Sequence, residues 1–245
     1  MGRYFGKIDI TGELPRMENK QYFKYGNTEI EFLKAKDTAL ANAIDEIGPL
    51  SIEIIPDMFL ALINSIIGQQ ISTKAQKTVW RRFLAMFMPV TPENIASLPV
   101  ETIQTCGISM RKAVYIREIA VSIADGSLDL EELQTMSDAE VCSRLSQING
   151  VGIWTAEMLM IFSMQRADIL SWGDMAILRG LRMLYGHRKI TPILFAKYKK
   201  RYSPYATVAS FYLWKISQGW CEGLADPAPK KEVKKKLTDS IERNR

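Results

Sequence analysis

The sequence predicts an all-α protein. Three observations carry this: apolar residues recur at helical spacing along nearly all of its 245 residues, helix-start and helix-stop signals alternate at short intervals, and the linkers between them are short. DTALANAIDEIG (37–48) sets Leu40, Ala43 and Ile44 on one side and ends at Gly48. PDMFLALINSIIG (56–68) opens with Pro56 and closes with Gly68, the favoured asymmetry of helix ends. Thr73-x-x-Gln76 and Ser137-x-x-Glu140 read as capping boxes. Thr91-Pro92 and Thr191-Pro192 read as N-caps followed by proline at the first helical position. SMRKAVYIREIAVSIADG (109–126) repeats apolar residues at Ala113, Ile116, Ala120 and Ile123. The pattern amounts to roughly nine or ten helices. Only the first 35 residues, with YFKYGNTEIEF, suggest extended structure, and PAPKKEVKKKL near the end reads as a solvated tail.

Composition narrows the function classes. A hydrophobic fraction of 47% supports a real core, in one large domain or two small ones. No run of about 18 uncharged apolar residues occurs, so no membrane span is expected. The start, MGRYFGKIDITGELPRMENK, lacks an apolar signal core, and Gly6 stands where a myristoylation motif wants Ser or Thr. These readings place the protein in the cytoplasm, or in the nucleus of a eukaryote. Cys106, Cys142 and Cys221 are odd in number and far apart, which argues against disulfides and against a four-cysteine metal site. His187 is the single histidine, so an imidazole-built metal site is excluded by count. The net charge is +5, of which residues 226–245 supply +3 through seven Lys/Arg and four Asp/Glu. The body is only about +2, so a nucleic-acid partner would require its basic residues to gather on one face.

The most informative stretch is LSQINGVGIWTAEMLMIF (145–162). An apolar helical run stops at Asn149-Gly150-Val151-Gly152, and a second apolar helix begins at once. Glycine supplies positive φ and close backbone approach. The second helix then starts with N–H groups that have no intrahelical partner, at the positive end of its dipole, where a phosphate oxygen fits. The same spacing also suits an ordinary turn between helices with Gly150 as C-cap.

The surrounding residues resemble a known family. INGVGIWTAEMLMIF followed by DILSWGDMAILRGL is similar to the helix-hairpin-helix, Gly/Pro-rich loop and aspartate signature of the DNA glycosylase superfamily. FLALINSIIGQQISTKAQKTVWRRF, CGISMRKAVYIREIA and RYSPYATVASFYLWKISQGW resemble its 3-methyladenine glycosylase II branch, over about residues 50–220. The chain departs from the pattern at Asn149, where the family commonly has proline, and at Ala206-Thr207, where it often has Arg-Ser.

The resemblance implies two helical lobes with a DNA-binding helix-hairpin-helix and an active-site cleft between them. One is a barrel over 50–166 carrying the hairpin at 149–152; the other joins 1–49 with 167–225; 226–245 is the Lys-rich tail. It implies a monofunctional glycosylase of base excision repair that flips out alkylated purines of the 3-methyladenine or 7-methylguanine type. Asp174, 22 positions after Gly152, becomes the carboxylate that stabilises an oxocarbenium-like sugar, although aspartate is also a preferred N-cap for MAILRGLRML. Relatives that also cut the strand carry a lysine two residues after the second hairpin glycine; Trp154 stands there, and no lysine occurs between Lys112 and Lys189. Trp154 and Trp214 are expected to wall the pocket for a cationic base, with Met158 and Tyr205 beside them. Asp168 and Glu157 read as structural. Gln69, Gln70 and Ile71 are candidates for the wedge that fills the hole left by the flipped base, Gln70 foremost.

The family's hairpin holds a monovalent cation, here through the main-chain carbonyls of Ser146, Ile148 and Val151. No cofactor is required beyond such a structural Na+ or K+, and with only Cys221 after Asp174 no iron–sulfur cluster is expected. The partner is damaged double-stranded DNA, gripped by the hairpin amides and by lysines such as Lys74 and Lys77, with no membrane partner and a monomeric protein. Binding should weaken as salt rises. The alternatives are a glycosylase for oxidised or deaminated bases, and a non-catalytic helix-hairpin-helix DNA-binding protein.

Overall fold

The computed structural model describes residues 20–228, and the Lys-rich stretch beyond Ala228 lies outside them. Twelve α-helices and one two-stranded ribbon make up the described residues, more helices than the periodicity suggests, because several are short. The first expectation to change is at the N-terminus. Residues 1–19 of that expectation lie outside the described residues; within 20–35 only Gln21–Tyr22 (β1) forms a strand, paired antiparallel with Glu53–Ile54 (β2), and NTEIEFLKAK forms helix α1 (Asn27–Lys36). Gly26 precedes that helix, and the Glu29 carboxylate accepts the Gly26 N–H at 2.7 Å, closing its first turn.

Most helix starts follow local chemistry. Asp37 caps α2 (Thr38–Ile47) by accepting the Leu40 N–H at 2.9 Å, and Gly48 ends it at φ 75°. Helix α3 (Met58–Gly68) is capped by Asp57, which leaves Pro56 outside the helix. Gly68 is the last helical residue and not a stop at positive φ. A Cβ there would lie 2.6 Å from Gln76 Nε2, so the missing side chain seats the Gln76 amide. That amide donates to the Asn64 carbonyl and side-chain oxygens. The cap of α4 (Thr73–Phe87) is therefore Ser72, which accepts the Ala75 N–H, and Thr73-x-x-Gln76 is no capping box. Ser137-x-x-Glu140 is one, at the start of α8 (Asp138–Leu145). Thr91 and Thr191 cap α5 (Pro92–Ser97) and α11 (Pro192–Tyr202) with proline behind them.

Packing divides the helices by neighbour. α3 lies against α4, α9 (Ile153–Phe162) and α7 (Met110–Ala124); α5 and α6 (Val100–Gln104) pack on α7, and α8 on α9. α10 (Met175–Tyr185) packs closely on α12 (Ala206–Ser217), and α1, α2 and α11 surround that pair. Helix α9 is apolar on nearly all sides, as a helix inside a core must be. Segment 166–171 runs from α9 along α12. Thr207 Oγ1 donates to the Arg166 carbonyl and accepts the Ile169 N–H, while Ser210 Oγ donates to the Ile169 carbonyl. Thr207 thus makes contacts at a place where the Arg-Ser of the resembled motif is missing. Asp168 accepts the Ser203 hydroxyl at 2.6 Å and the Ala206 N–H at 3.2 Å, a capping role.

Candidate active site

Asp174 sits where segment 170–174 turns into α10, and it is 8% exposed. Its two carboxylate oxygens have separate partners. Oδ1 accepts the N–H groups of Ala176 at 2.8 Å and Ile177 at 3.1 Å, the expected N-cap. Oδ2 accepts the indole N–H of Trp154 at 3.3 Å and that of Trp214 at 3.1 Å. Three separated positions of the sequence thus converge on one oxygen, and four donors leave the carboxylate a single orientation.

The tryptophans therefore act by their edges as well as their faces. A cavity of about 240 Å³ opens beside Trp154, walled by that ring with Ile55, Ala61, Met158 and Phe162. Its polar lining comes from Glu53, Asn64, Ser65 and Gln76. Trp154 and Met158 both line it. Trp214 stands behind, stacked on Phe162 with ring centres 5.7 Å apart, so it shapes the wall through another ring. Tyr205 does not line it. It is the N-cap residue of α12, and its ring packs edge-on against Phe32 at 5.1 Å. Trp172 is 43% exposed and rests edge-on against Phe195.

The hairpin has the conformation its glycines suggest. Gly150 has φ +82°, and a Cβ there would penetrate the Tyr115 ring at 2.1 Å. Val151 donates its N–H to the Ile148 carbonyl at 3.0 Å, closing the turn. Gly152 begins α9 with no side chain capping it, and open space surrounds the position of its missing Cβ. Asn149 donates to the Glu118 carboxylate at 3.3 Å.

Of the three wedge candidates, the structure turns Gln69 away from that role. Its amide nitrogen donates to the Gly150 carbonyl at 2.9 Å and to the Thr155 hydroxyl at 3.0 Å, so it is committed to the hairpin. Gln70 is exposed at φ +58°, and Ile71 is 40% exposed. Lys74 and Lys77 are exposed on α4 just beyond them.

Sequence reasoning missed the cavity's polar side, because Glu53, Asn64 and Gln76 come from three elements with no shared motif. It also read Glu157 as merely structural. Burial raises the Glu157 carboxyl above the usual range; the Ser171 hydroxyl bond and Lys199 pull it down, and the Asp174 charge pushes it up. One signal was available: a lone acid inside the apolar run WTAEMLMIF needs a partner when buried.

The chain was compared with known proteins. Residues 63–204 match the HhH-GPD superfamily of base excision DNA repair proteins. A relative from Schizosaccharomyces pombe named DNA-3-methyladenine glycosylase 1 is 36% identical over 163 residues, 64% of this chain and 71% of its own. A solved S. pombe 3-methyladenine DNA glycosylase in complex with abasic DNA superposes with a TM-score of 0.70 at 29% identity, covering 78% of this chain and 97% of that one. The DNA-3-methyladenine glycosidase of Bacillus halodurans gives a TM-score of 0.70 at 34% identity, over 83% and 95% of the two chains.

Proposed function

The chain belongs to the HhH-GPD superfamily of base excision DNA repair proteins, and from that membership we propose that it is a monofunctional DNA glycosylase for alkylated purines. The observation that carries the reading is the Asp174 carboxylate, fixed by two α10 amides and two indole N–H groups, one of which belongs to Trp154, a wall of a base-sized cavity.

The chemistry follows from that arrangement. When the bond between C1′ and the purine nitrogen breaks, its electron pair leaves with the base, and positive charge develops at C1′ and the ring oxygen. A cationic alkylated purine departs neutral, so it needs no strong general acid. The Asp174 carboxylate stabilises the sugar cation across a space from which the flipped nucleotide has expelled water, which is where such an interaction is strongest. Water adds to C1′, loses a proton, and leaves an abasic site. Trp154 occupies the place from which a lysine would attack C1′, so the reaction stops there. Among the described residues, Glu53 is the one ionisable side chain that lines the cavity, and the rings of Trp154 and Phe162 line it too; both features suit a cationic base.

The uncapped start of α9 offers its first amides to a DNA phosphate, and damaged duplex DNA is the partner this reading requires. The carbonyls proposed to hold a monovalent cation fit one. All three are neutral oxygens, and those of Ser146 and Val151 accept no hydrogen bond among the described residues. Such an ion would stiffen the turn and add positive charge beneath a phosphate. No helix of the described residues is long and apolar enough to cross a membrane, and one protein molecule supplies every group used here.

The test is release of free base from methylated duplex DNA by wild type and by Asp174→Asn, followed by alkali to reveal abasic sites. Asparagine is an equally good N-cap, but its amide nitrogen would face the two indole donors, so some thermal stability should be lost beside a rate that falls by about 10²–10³-fold. Wild type should leave strands intact until the alkali step. Binding without release from any damaged duplex would favour the non-catalytic reading, with Asp174 as a cap alone.

A further inference from the structure

We propose that Gln69 and Lys112 are positioning residues that lock the Gln70 loop onto the helix-hairpin-helix, so that engagement of the DNA backbone and filling of the vacated base site occur as one rigid event. This rests on the glycosylase reading above.

The loop after α3 bonds back to the Ile66 and Gly68 carbonyls but leaves that of Ile67 to a partner from elsewhere, and its geometry requires φ +58° at Gln70, a conformation glutamine seldom adopts. Such a loop holds one shape only if its neighbours over-determine it. Two side chains do this from different elements. Lys112, at the start of α7, donates from Nζ to the carbonyls of Ile67 at 2.9 Å and Gln69 at 2.7 Å, capping the end of α3 with a charge. Burial lowers the pKa of this ammonium. From inside the loop, Gln69 Nε2 reaches 81 positions along the chain to the Gly150 carbonyl at the hairpin tip, and also to Thr155 in the first turn of α9. Thr155 follows Trp154, whose indole holds Asp174. Wedge loop, hairpin and carboxylate are thereby joined by hydrogen bonds to two successive residues of α9, Thr155 and Trp154. An open hollow of about 580 Å³ beside them is lined by Gln69, Gln70, Lys112, Tyr115 and Gly150, with Met110 at its edge. Gln70 is exposed on that rim, as are Ser109, Met110 and Arg111 on its other side.

The strut has a functional consequence. A wedge on a loose loop would pay its ordering entropy each time it entered the stack, whereas a pre-ordered one enters at no such cost. Gln69 thus acts through Gln70, and Lys112 through both.

The experiment uses the full chain and a duplex carrying a tetrahydrofuran abasic analogue opposite 2-aminopurine, whose fluorescence reports what occupies the gap. Gln69→Ala, Lys112→Met, Gln70→Ala and the Gln69→Ala/Gln70→Ala double variant are compared with wild type for duplex affinity, for fluorescence at saturation and for release of 3-methyladenine from methylated duplex. Misplacement by about an ångström predicts that Gln69→Ala and Lys112→Met each lower kcat about tenfold, leave duplex affinity within about threefold, and shift the saturated fluorescence toward that of Gln70→Ala. Gln69→Ala should add little to Gln70→Ala, because the two act as one unit. Wild-type fluorescence in Gln69→Ala and Lys112→Met, or additive losses in the double variant, would overturn the proposal. So would losses confined to thermal stability and restored by cooling, which would make both residues packing groups. The fluorescence arm does not depend on catalysis, so a wild type that releases no base defeats the glycosylase reading while still testing the strut.

Discussion

At the scale of single residues, Asp174 carries two roles with its two oxygens. One oxygen caps a helix and the other faces two indoles, so the carboxylate is placed by secondary structure and aimed by tertiary contacts. The aim can be altered while an aromatic ring is kept. Trp214→Phe leaves a ring able to stack on Phe162 and deletes the N–H donor together with part of the indole. We expect the excision rate to fall by at least about fivefold, the equivalent of about 1 kcal/mol for one hydrogen bond, with some loss of thermal stability from the smaller side chain. Single-turnover kinetics on methylated duplex would measure it, and an unchanged rate would show that the indole N–H does not steer Asp174. Residue chemistry was partly legible in advance. The hairpin glycines, Asp174 and Trp154 stand within one signature, and its resemblance to the family pattern, more than the residue types alone, sets Asp174 apart from an ordinary helix cap. The shared acceptor was not legible, because Trp154 and Trp214 lie 60 positions apart and no spacing rule links them.

At the scale of elements, the joint between α10 and α12 decides where Asp174 stands. Gly180 is buried in the middle of α10, and a Cβ there would come within 2.3 Å of the Leu213 carbonyl oxygen on α12. The helices can meet this closely only at glycine. Gly180→Ala gains helix propensity of about 1 kcal/mol but forces a backbone apart, and overpacking of this kind costs about 1–3 kcal/mol or more. We expect net destabilisation, read as a Tm lowered by about 2–4 °C per kcal/mol. Excision should fall as well, because α10 moves relative to Trp214. A variant as stable as wild type would mean that the helices separate freely. From sequence, Gly180 is an isolated glycine in a helical pattern, a flag for close packing without an address. Gly68 carries the same lesson: it reads as a stop signal, yet it makes room for Gln76.

At the scale of the molecule, the end of the described chain is fastened to α10. Arg182 donates to Asp226 from Nε at 2.8 Å and from Nη2 at 2.6 Å, so the stretch read as a solvated tail begins with an anchored residue. Those bonds hold the Asp226 carboxyl at about 2, below its ordinary 3.8. A carboxyl depressed on folding adds stability above its unfolded value and loses that contribution as pH falls through the folded one. Asp226→Asn should therefore cost about 1–2 kcal/mol near neutral pH, a typical value for a forked charged pair. The gap from wild type should close between pH 4 and 2. Thermal unfolding across pH measures it, and a gap constant with pH would show that the charge is not what fastens the chain. What the sequence by itself determined were the helices, their capped starts, the hairpin and the place of Asp174 at the start of α10, because each depends on residues within a few positions of one another. Only the tertiary structure decided the rest: that two indoles share one oxygen, that Gln69 bonds to the hairpin, that Tyr205 lies outside the cavity, and that Glu53, Asn64 and Gln76 line it. Those relations join distant parts of the chain, and they are set by how closely helices can pack, which no local spacing encodes.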